Sequence, residues 1–511
     1  MSSLAWKNIN WSLVNSRIYR YQTRIYKASK ENNIYKVRSI QKLIINSLDA
    51  KLVAVKRVTA FNKNETTLGL EKKVFITDLQ KEKLVKRLRL DGKISSTLRL
   101  YNDKSGKIKK WSVDFVTVKD QAKQVLCLLA LEPEWEANFE TNSYGFRPGR
   151  CCHDAVETVF LSLQRYSRKG NYQNYILYAY ITKCFNQIDY EYLIKKLNTL
   201  PEMKIQIKAW LKAGILEDFL DVDNRNSMME DIIYQPSVGI ISPLLTNIVL
   251  HGLEKHIKEW THNRSSFVTV NRYGQTKKRQ SLSVIRYANE LLLIHPDKTI
   301  IYEAKKEISQ WLLNGSSFQF NNEKTYIGNS KDGFNFLRFT FITIKKNNKI
   351  RTKIYPSRKS QELLILKVRN VIQKNQNVSA YKLISLLRPI IIDWANYFKY
   401  SECEKCFQNL TNLIVQQLRA WVFRRDTRNG RKKVKQKYFS NTKEYYFNFT
   451  QHNDNWILNG KTKNNNDTIK ENWLPHLMWV KGEKWIKIKD NKSPFDGDIM
   501  YWNKRKINKV N

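Results

Sequence analysis

A chain with 90 Lys and Arg against 46 Asp and Glu cannot neutralise itself: with every acid paired one to one, 44 cations remain over 511 residues. Such an excess works against compaction through self-repulsion unless a polyanion takes up the charge. Nucleic acid, and RNA first, suits a basic surface of this extent. Abundant Lys, Asn and Ile fit an AT-rich coding sequence, which explains the preference for Lys over Arg but not the scarcity of acids. A hydrophobic content of 42% supplies sizeable cores, so this is no disordered basic tail. No apolar run approaches the roughly 20 residues of a membrane span. The N-terminal stretch MSSLAWKNINWSLVNSRIYRYQTRIYKASK lacks the apolar centre of a secretory signal. It is basic and acid-poor, as transit peptides are, but its Trp and Tyr positions read as a packed helix.

The cysteines are Cys127, Cys151, Cys152, Cys184, Cys403 and Cys406, a usage suited to a reducing compartment. Cys403-Glu-Lys-Cys406 has zinc-knuckle spacing, but no second Cys/His pair lies nearby, and a four-ligand site needs one. It reads as two small residues on a helix face. No metal and no cofactor is expected.

Apolar positions recur at three and four along residues 1–60, as in Ile18, Tyr21, Ile25, Tyr26 and then Val37, Ile40, Leu43, Ile44, which predicts helices. Helical segments continue over 76–135 around a turn at Asn102-Asp-Lys-Ser-Gly106. QNYILYAYI (173–181) reads as a buried strand. VIRYANELLLIH (284–295) reads as two short strands around a tight Ala-Asn-Glu turn, and FNFLRFTFITIK (334–345) as one further strand. After Pro356 the period turns helical, through Leu363, Leu364, Leu366, Val368 and Leu383, Ile384, Leu386, Leu387. A dense basic run follows: Arg424, Arg425, Arg428, Arg431, Lys432, Lys433, Lys435 and Lys437. Residues 450–470, with Asn464-Asn-Asn-Asp467, read as a flexible linker. The last stretch interleaves Trp473, Trp479, Trp485 and Trp502 with Lys484, Lys487, Lys489, Lys504 and Arg505. Two readings stay open there: rings stacking on single-stranded RNA, or a small β-module with buried tryptophans.

Several of these segments together resemble group II intron maturases built on a reverse-transcriptase hand. LEPEWEANFETNSYGFRPGRCCHD (131–154) is similar, almost residue for residue, to that family's LEPxWEAxFExxSYGFRPGRSCHDA block. IISPLLTNIVLHGLE (240–254) resembles VISPLLANIxLHGLE. Asn322-Glu-Lys-Thr325, Gly333-Phe-Asn-Phe-Leu337, WANYFKY (394–400), Trp479-Val-Lys481 and Ser493-Pro-Phe-Asp-Gly497 through Tyr501-Trp502 also resemble family segments, and the resemblance runs from Trp6 to Arg505 overall. It implies an α/β plus α architecture, a right-hand reverse-transcriptase fold. A helical N-terminal extension (1–75) precedes fingers and palm with an antiparallel sheet (76–350). A helical thumb, or domain X (355–445), a linker (446–470) and a small basic DNA-binding-like module (471–511) come after.

The resemblance also says where this chain departs. Polymerases of this kind hold two metal ions on carboxylates. The family's DADIKGCFDNID is here YAYITKCFNQID (178–189), with Tyr180 at the metal-binding Asp. The family's YADD is Tyr287-Ala-Asn-Glu290, with Asn289 and Glu290 at the two aspartates. PQGG is Pro236-Ser-Val-Gly239, KRPLGIPT is KWSVDFVT (110–117) with Trp111 at the Arg, and the Gly of FLGF is Arg338. No catalytic residue is expected: Tyr180, Asn289 and Glu290 are degenerate positions. His153 and His251 read as structural; Asp189 reads as structural ahead of a rescued metal ligand, and Arg147 and Arg150 as structural ahead of RNA contacts. The pattern after Tyr501-Trp502 does not continue into the metal-binding endonuclease of many relatives, so DNA cleavage is not expected.

The expected function is that of a maturase, which binds group II intron RNA and promotes its folding and splicing. The run Arg424–Lys437 is the candidate for phosphate contacts. Other readings are an active RNA-directed DNA polymerase with unorthodox ligands, a decaying reading frame, and a binder serving several introns. A weak DNA contact and a dimer stay open; no membrane partner is expected. The composition and the resemblance to plastid and cyanobacterial intron proteins suggest organelle encoding, plastid first and mitochondrion second.

Overall fold

The computed structural model describes residues 6–61, 77–94, 99–100, 103–104, 108–109, 113–114, 116–182, 190–213, 239–263, 282–316, 318–439, 444–463, 468–489 and 491–510. Helices α1 (Trp11–Lys30), α2 (Ile34–Asn46) and α3 (Leu48–Phe61) are followed by α4 (Asp78–Arg87). Side chains of Asn10 and Asn33 cap α1 and α2 by accepting from the amides of Leu13 and Lys36, and Thr77 with Gln80 forms a capping box on α4. The first three helices surround α5 (Val118–Asn138), which is buried along most of its length. Pro133 inside α5 has no N–H to give to Leu129 four residues back. The buried Gln22 of α1 donates to that Leu129 carbonyl instead, at 3.0 Å, and Gln41 of α2 donates to Ala130 O at 3.1 Å. The N-terminal helices are thus joined to the next region by polar bonds as well as apolar packing.

Short antiparallel pairs join β1 (Arg99–Leu100) to β4 (Val113–Asp114) and β2 (Asp103–Lys104) to β3 (Ile108–Lys109). The turn expected at Asn102–Gly106 falls partly outside the described residues, as do Trp111, Cys184, Asp189 and Pro236–Val238.

The palm sheet is antiparallel. After α6 (Cys152–Arg168), strand β5 (Tyr175–Thr182) pairs with β7 (Glu290–His295), which pairs with β6 (Ser283–Tyr287). On its other edge β5 pairs with β8 (Gln319–Phe320) and β9 (Tyr326–Asn329). Helices α7 (Tyr190–Leu197), α8 (Pro201–Lys212), α9 (Ser242–Leu250), α10 (Leu253–Asn263) and α11 (Lys298–Ser316) lie between these strands in the chain. Side chains alternate across the sheet. Leu177, Ala179, Ile181, Leu291 and Leu293 face a core shared with α1–α3 and α5. Ile176, Ile285, Leu292 and Ile294 face a second core. The predicted strand at 173–181 and the hairpin at 284–295 are both present.

The single strand expected over 334–345 is two: β10 (Phe334–Phe336) and β11 (Phe339–Lys346), followed by β12 (Lys349–Pro356) in one sheet. Leu337 and Arg338 make the turn between them, both with positive φ (48° and 67°). Two-residue hairpins prefer Gly or Asn at such positions. Arg338 stands where the family pattern has Gly, so the local turn signal is missing while the turn itself is kept.

Three thumb helices follow, α12 (Arg358–Lys374), α13 (Ala380–Phe398) and α14 (Glu404–Arg425), then the short α15 (Arg431–Tyr438). The segment expected as a linker is structured. It carries the hairpin β13 (Tyr445–Phe447) with β14 (Thr450–His452) and the pair β15 (Asn459–Lys463) with β16 (Ile469–Trp473). The buried Ile457, Leu458 and Leu474 tie it to the thumb core; polar composition hid strands of three to five residues with few apolar positions each. Only Asn464–Asp467 of this stretch lies outside the described residues. The C-terminal stretch ends in α16 (Ile499–Val510).

Candidate sites at the palm hairpin and the basic thumb

The β6–β7 hairpin and the end of β5 bring Tyr180, Asn289 and Glu290 together. Tyr180 and Glu290 are cross-strand partners. Ala288 takes a positive φ of 52° at the turn. Asn289 is 2% exposed. Its Nδ2 donates to Ile181 O at 3.2 Å, while Ile181 N donates to Asn289 O at 3.0 Å. The side-chain amide therefore stitches the turn to β5. A carboxylate there would set oxygen against oxygen, an arrangement that suits a bridging cation and is costly in a buried place without one.

The loop before β9 closes in from the other side. Tyr180 N donates to Thr325 Oγ1 at 3.3 Å, and Asn321 N donates to Tyr180 O at 2.7 Å. The Lys324 ammonium lies 4.6 Å from the centroid of the Tyr180 ring, within cation–π range. A phenol, an amide and an ammonium thus crowd the place where the family pattern has metal-binding aspartates. Among the described residues no group of three His, Cys, Asp or Glu could hold a metal ion. Glu290 alone does not fit a pair of divalent ions.

The scaffold behind the hairpin is closely bonded. Arg286, 4% exposed, donates to Ser143 Oγ at 2.6 Å and Asn247 Oδ1 at 2.8 Å, and Asn247 Nδ2 donates to Gly145 O at 2.9 Å. A Cβ on Gly145 would collide with the Ala288 backbone, so the SYGF segment admits only glycine there. Arg147 pairs with Glu136 through two bonds of 2.8 and 2.9 Å and donates to the carbonyls of Glu140 and Ser143. Arg150 donates to Thr141 O at 2.8 Å. Both arginines are held by their own chain.

The CCHD end of the same block receives the C-terminal stretch. The fully buried Asp154 accepts from Cys151 N, Trp485 Nε1 and Ile488 N, and through both of its oxygens from Arg505 Nη2 (2.6 and 2.9 Å). Burial pushes this carboxyl up, but the Arg505 charge and the donated hydrogen bonds outweigh it and hold it below the usual range. His153 Nε2 bonds Tyr397 O at 2.7 Å amid the rings of Tyr400 and Trp485. A Cβ on Gly149, at φ +74°, would strike Trp502. Trp479 and Trp502 are buried, and Trp473 and Trp485 are half-buried. Two of the four are thus packed inside, and among the described residues no strand follows β16, so the stretch is not the small β-module expected. His251 sits edge-on to Trp135 and Phe139, its pKa driven down to about 4 by burial and then by the Lys196 charge. Burial pushes the Cys403 and Cys406 thiols up to about 11 and about 12, as expected of packing residues.

The basic run divides. Arg424 and Arg425 end α14, Arg428 lies in the connection, and Arg431, Lys432, Lys433, Lys435 and Lys437 line α15. Only Val434 of that helix is buried. Three members have internal partners: Arg425 donates to the carbonyls of Gln376, Asn377 and Val378, Lys435 lies 4.5 Å from the Trp456 ring centroid, and Lys437 pairs with Asp426 at 3.3 Å. Arg424, Arg428, Arg431, Lys432 and Lys433 are exposed, and among the described residues none pairs with them. The Asp154–Arg505 pair and Lys324 were missed in the sequence. Asp154 stood in a recognised block, but its partner is 351 residues away and gives no local signal.

An antiparallel palm, preceded by helices with short strand pairs and followed by a helical thumb, defines a reverse-transcriptase type of hand. Comparisons with known proteins agree in chain order. Residues 6–88 match the N-terminal domain of reverse transcriptase, 102–341 the reverse transcriptase (RNA-dependent DNA polymerase) family, and 362–439 the group II intron, maturase-specific domain. The chain belongs to the group II intron maturases of reverse-transcriptase type. It is 26% identical to Maturase-like protein 1 of Euglena gracilis over 406 residues, 78% of each chain. It is 29% identical to Protein YkfC of Escherichia coli over 266 residues, 48% of this chain and 66% of that one. It is 26% identical to the group II intron-encoded protein LtrA of Lactococcus lactis subsp. cremoris, with 52% of this chain and 51% of LtrA covered.

Proposed function

We infer that this chain binds the RNA of a group II intron and promotes its folding and splicing without polymerising DNA. The observation that carries the second half is the contrast within the palm. Arg286, Asn247 and Gly145 keep the hairpin in place, while Tyr180 and Asn289 put a phenol and a neutral amide at two of the three carboxylate positions, with the Lys324 ammonium over the phenol ring; a pair of divalent ions needs carboxylates there. Support for the first half is the exposed run from Arg424 to Lys433, whose cations can offset phosphate repulsion as RNA helices pack. The C-terminal module serves in this reading as a brace on the palm and thumb, with weak DNA contact at most. The organelle reading, plastid first, draws on the AT-rich composition and the Euglena relatives.

The test pairs two assays on the purified full chain. Splicing of a group II intron precursor is expected to accelerate on adding protein, at a magnesium concentration where the RNA alone splices slowly. Primer extension on an RNA template is expected to yield no cDNA with magnesium or manganese. cDNA synthesis that Glu290→Gln abolishes would overturn the non-polymerising reading and leave the splicing arm to stand or fall separately.

A further inference from the structure

The hairpin β13–β14 ends in a turn that its own sequence does not favour. Asn448 and Phe449 both have positive φ (47° and 61°), the pair of conformations of a type I′ turn. Asn is at home in the first place, but the second is normally glycine, and a bulky aromatic ring there is an outlier that the backbone tolerates at a cost. Phe449 is also fully exposed, at 110%, so no internal contact offsets that strain. The adjacent outward-facing Tyr446 is 61% exposed.

The rest of the hairpin is rigidly held. Tyr445 and Phe447 are buried against Trp479, and His452 stacks on the same ring at 4.3 Å and 15°. Both flanks of the hairpin are anchored at the basic thumb. Phe439, at the end of α15, meets the Trp456 ring at 5.3 Å. Trp456, just beyond β14, lies within cation–π range of Arg419 at 4.1 Å and Lys435 at 4.5 Å. An exposed ring therefore projects from a hairpin whose following residue Trp456 packs on α15, the helix that carries the exposed Arg431, Lys432 and Lys433.

We propose that Phe449, with Tyr446 beside it, is a base-stacking site for an unpaired nucleotide of RNA whose flanking phosphates are taken by the Arg424–Lys433 surface. Every base offers a π-face to an aromatic ring whatever its sequence, and unpaired bases in loops and bulges are the ones free to be splayed onto it. The cations select a polyanion over an apolar partner such as a second copy of this positively charged chain. This site rests on the RNA-binding reading of the basic thumb.

The experiment titrates the full chain with an RNA duplex carrying one bulged 2-aminopurine, and with the fully paired duplex. Phe449→Gly is expected to raise the unfolding temperature, because glycine relieves the turn, yet to weaken binding of the bulged RNA by roughly 5- to 100-fold, as loss of one stacked base does. Wild type and Phe449→Trp should quench the 2-aminopurine on binding, and Phe449→Gly should not. Binding of the paired duplex, and its salt dependence, should be alike in all three. Unchanged bulged-RNA affinity in Phe449→Gly overturns the stacking site and leaves the basic thumb standing. Equal weakening for both RNAs, or a shift of free protein from dimer to monomer in sedimentation, also overturns it. Replacement of Arg424, Arg428 and Arg431 by Ala weakens both RNAs if the thumb reading is right; no effect on either sinks that reading independently.

Discussion

Arg147 and Arg424 are the same residue type in opposite surroundings. Arg147 and its partner Glu136 have side chains 2% and 1% exposed, and every bond the guanidinium makes is internal. Arg505 repeats the pattern against the fully buried Asp154. Arg424, Arg428 and Arg431 face solvent with no carboxylate of their own among the described residues. The net charge of +44 is therefore unevenly shared. Arg147 and Arg505 are each met by a buried acid and Arg286 by neutral acceptors, because an unsatisfied charge inside is expensive, and surplus cations stand on outer faces such as the end of the thumb. The palm hairpin shows the same rule at a third place. Where the carboxylates are absent, the space has gone to neutral groups and one ammonium (Lys324), not to bare negative charge.

The sharpest way to break this division is to remove a buried partner. Glu136→Ala leaves Arg147 buried with only carbonyl acceptors and is expected to cost about 3–5 kcal/mol of stability, read from urea unfolding. RNA affinity of the remaining folded protein, and its salt slope, should not change. If stability holds and the salt slope falls, Arg147 is an RNA contact and the two classes of arginine are not distinct.

The converse variant combines Arg424→Ala, Arg428→Ala and Arg431→Ala. Each lost phosphate contact lowers the salt slope by about 0.7–0.9, so the triple variant should lose about 2–3 units of slope and about 100-fold in intron RNA affinity at physiological salt. Exposed substitutions of this kind stay within about 0.5 kcal/mol in stability. Arg425 is left in place because it donates to the carbonyls after α12 and has a structural share. An unchanged salt slope would return the run to a merely solvated face.

How much of the molecule was legible in the sequence depends on the range of the interactions. The palm strands were legible because six of the eight residues of β5 are aromatic or β-branched. The meeting of Tyr180, Asn289 and Glu290 at one hairpin was legible because they sit inside motifs with recognisable neighbours. The β10–β11 turn was not, since Arg338 replaces the glycine that would announce it. Lys324 lay within a recognised motif, but its place over Tyr180 depends on how the loop before β9 folds against β5. The strands in 445–473 were hidden because burial there falls on isolated residues such as Tyr445, Phe447 and Leu458 among polar ones. The Asp154–Arg505 pair could not be read at all, because its register exists only once the C-terminal stretch docks.

That pair gives a smaller, pH-dependent test. Asp154→Asn removes the charge facing Arg505 but keeps an acceptor, and is expected to cost about 2–3 kcal/mol. Amide exchange should rise first over residues 485–505. The Asp154 carboxyl is held low in the folded chain, so its contribution is complete above the unfolded value of about 3.9 and is lost as pH falls through the lower folded value. The wild type should therefore converge on the variant in stability below about pH 4. A gap that persists unchanged into stronger acid would mean that the charge pair is not what holds the C-terminal stretch.

Glu157, one turn further along α6, sharpens the comparison most finely, because burial and pairing oppose each other there. Burial pushes its carboxyl up to about 7, against the pull of Lys484 and Lys487 from the C-terminal stretch. Its unfolded value is 4.5. Below that, the group is protonated in both states and costs nothing. Between 4.5 and about 7 the folded chain keeps a proton that the unfolded chain releases, so stability falls as pH rises; above about 7 the loss is complete and constant. Glu157→Gln abolishes this slope and should be more stable than wild type by about 1–2 kcal/mol at pH 8, with no difference near pH 4. Thermal unfolding at the two pH values reads it directly. If the variant is instead less stable at pH 8, attraction to the two lysines outweighs burial. Glu157 would then belong with Asp154 among the acids that hold the C-terminal stretch, and the compensated interior would reach one helical turn closer to the surface.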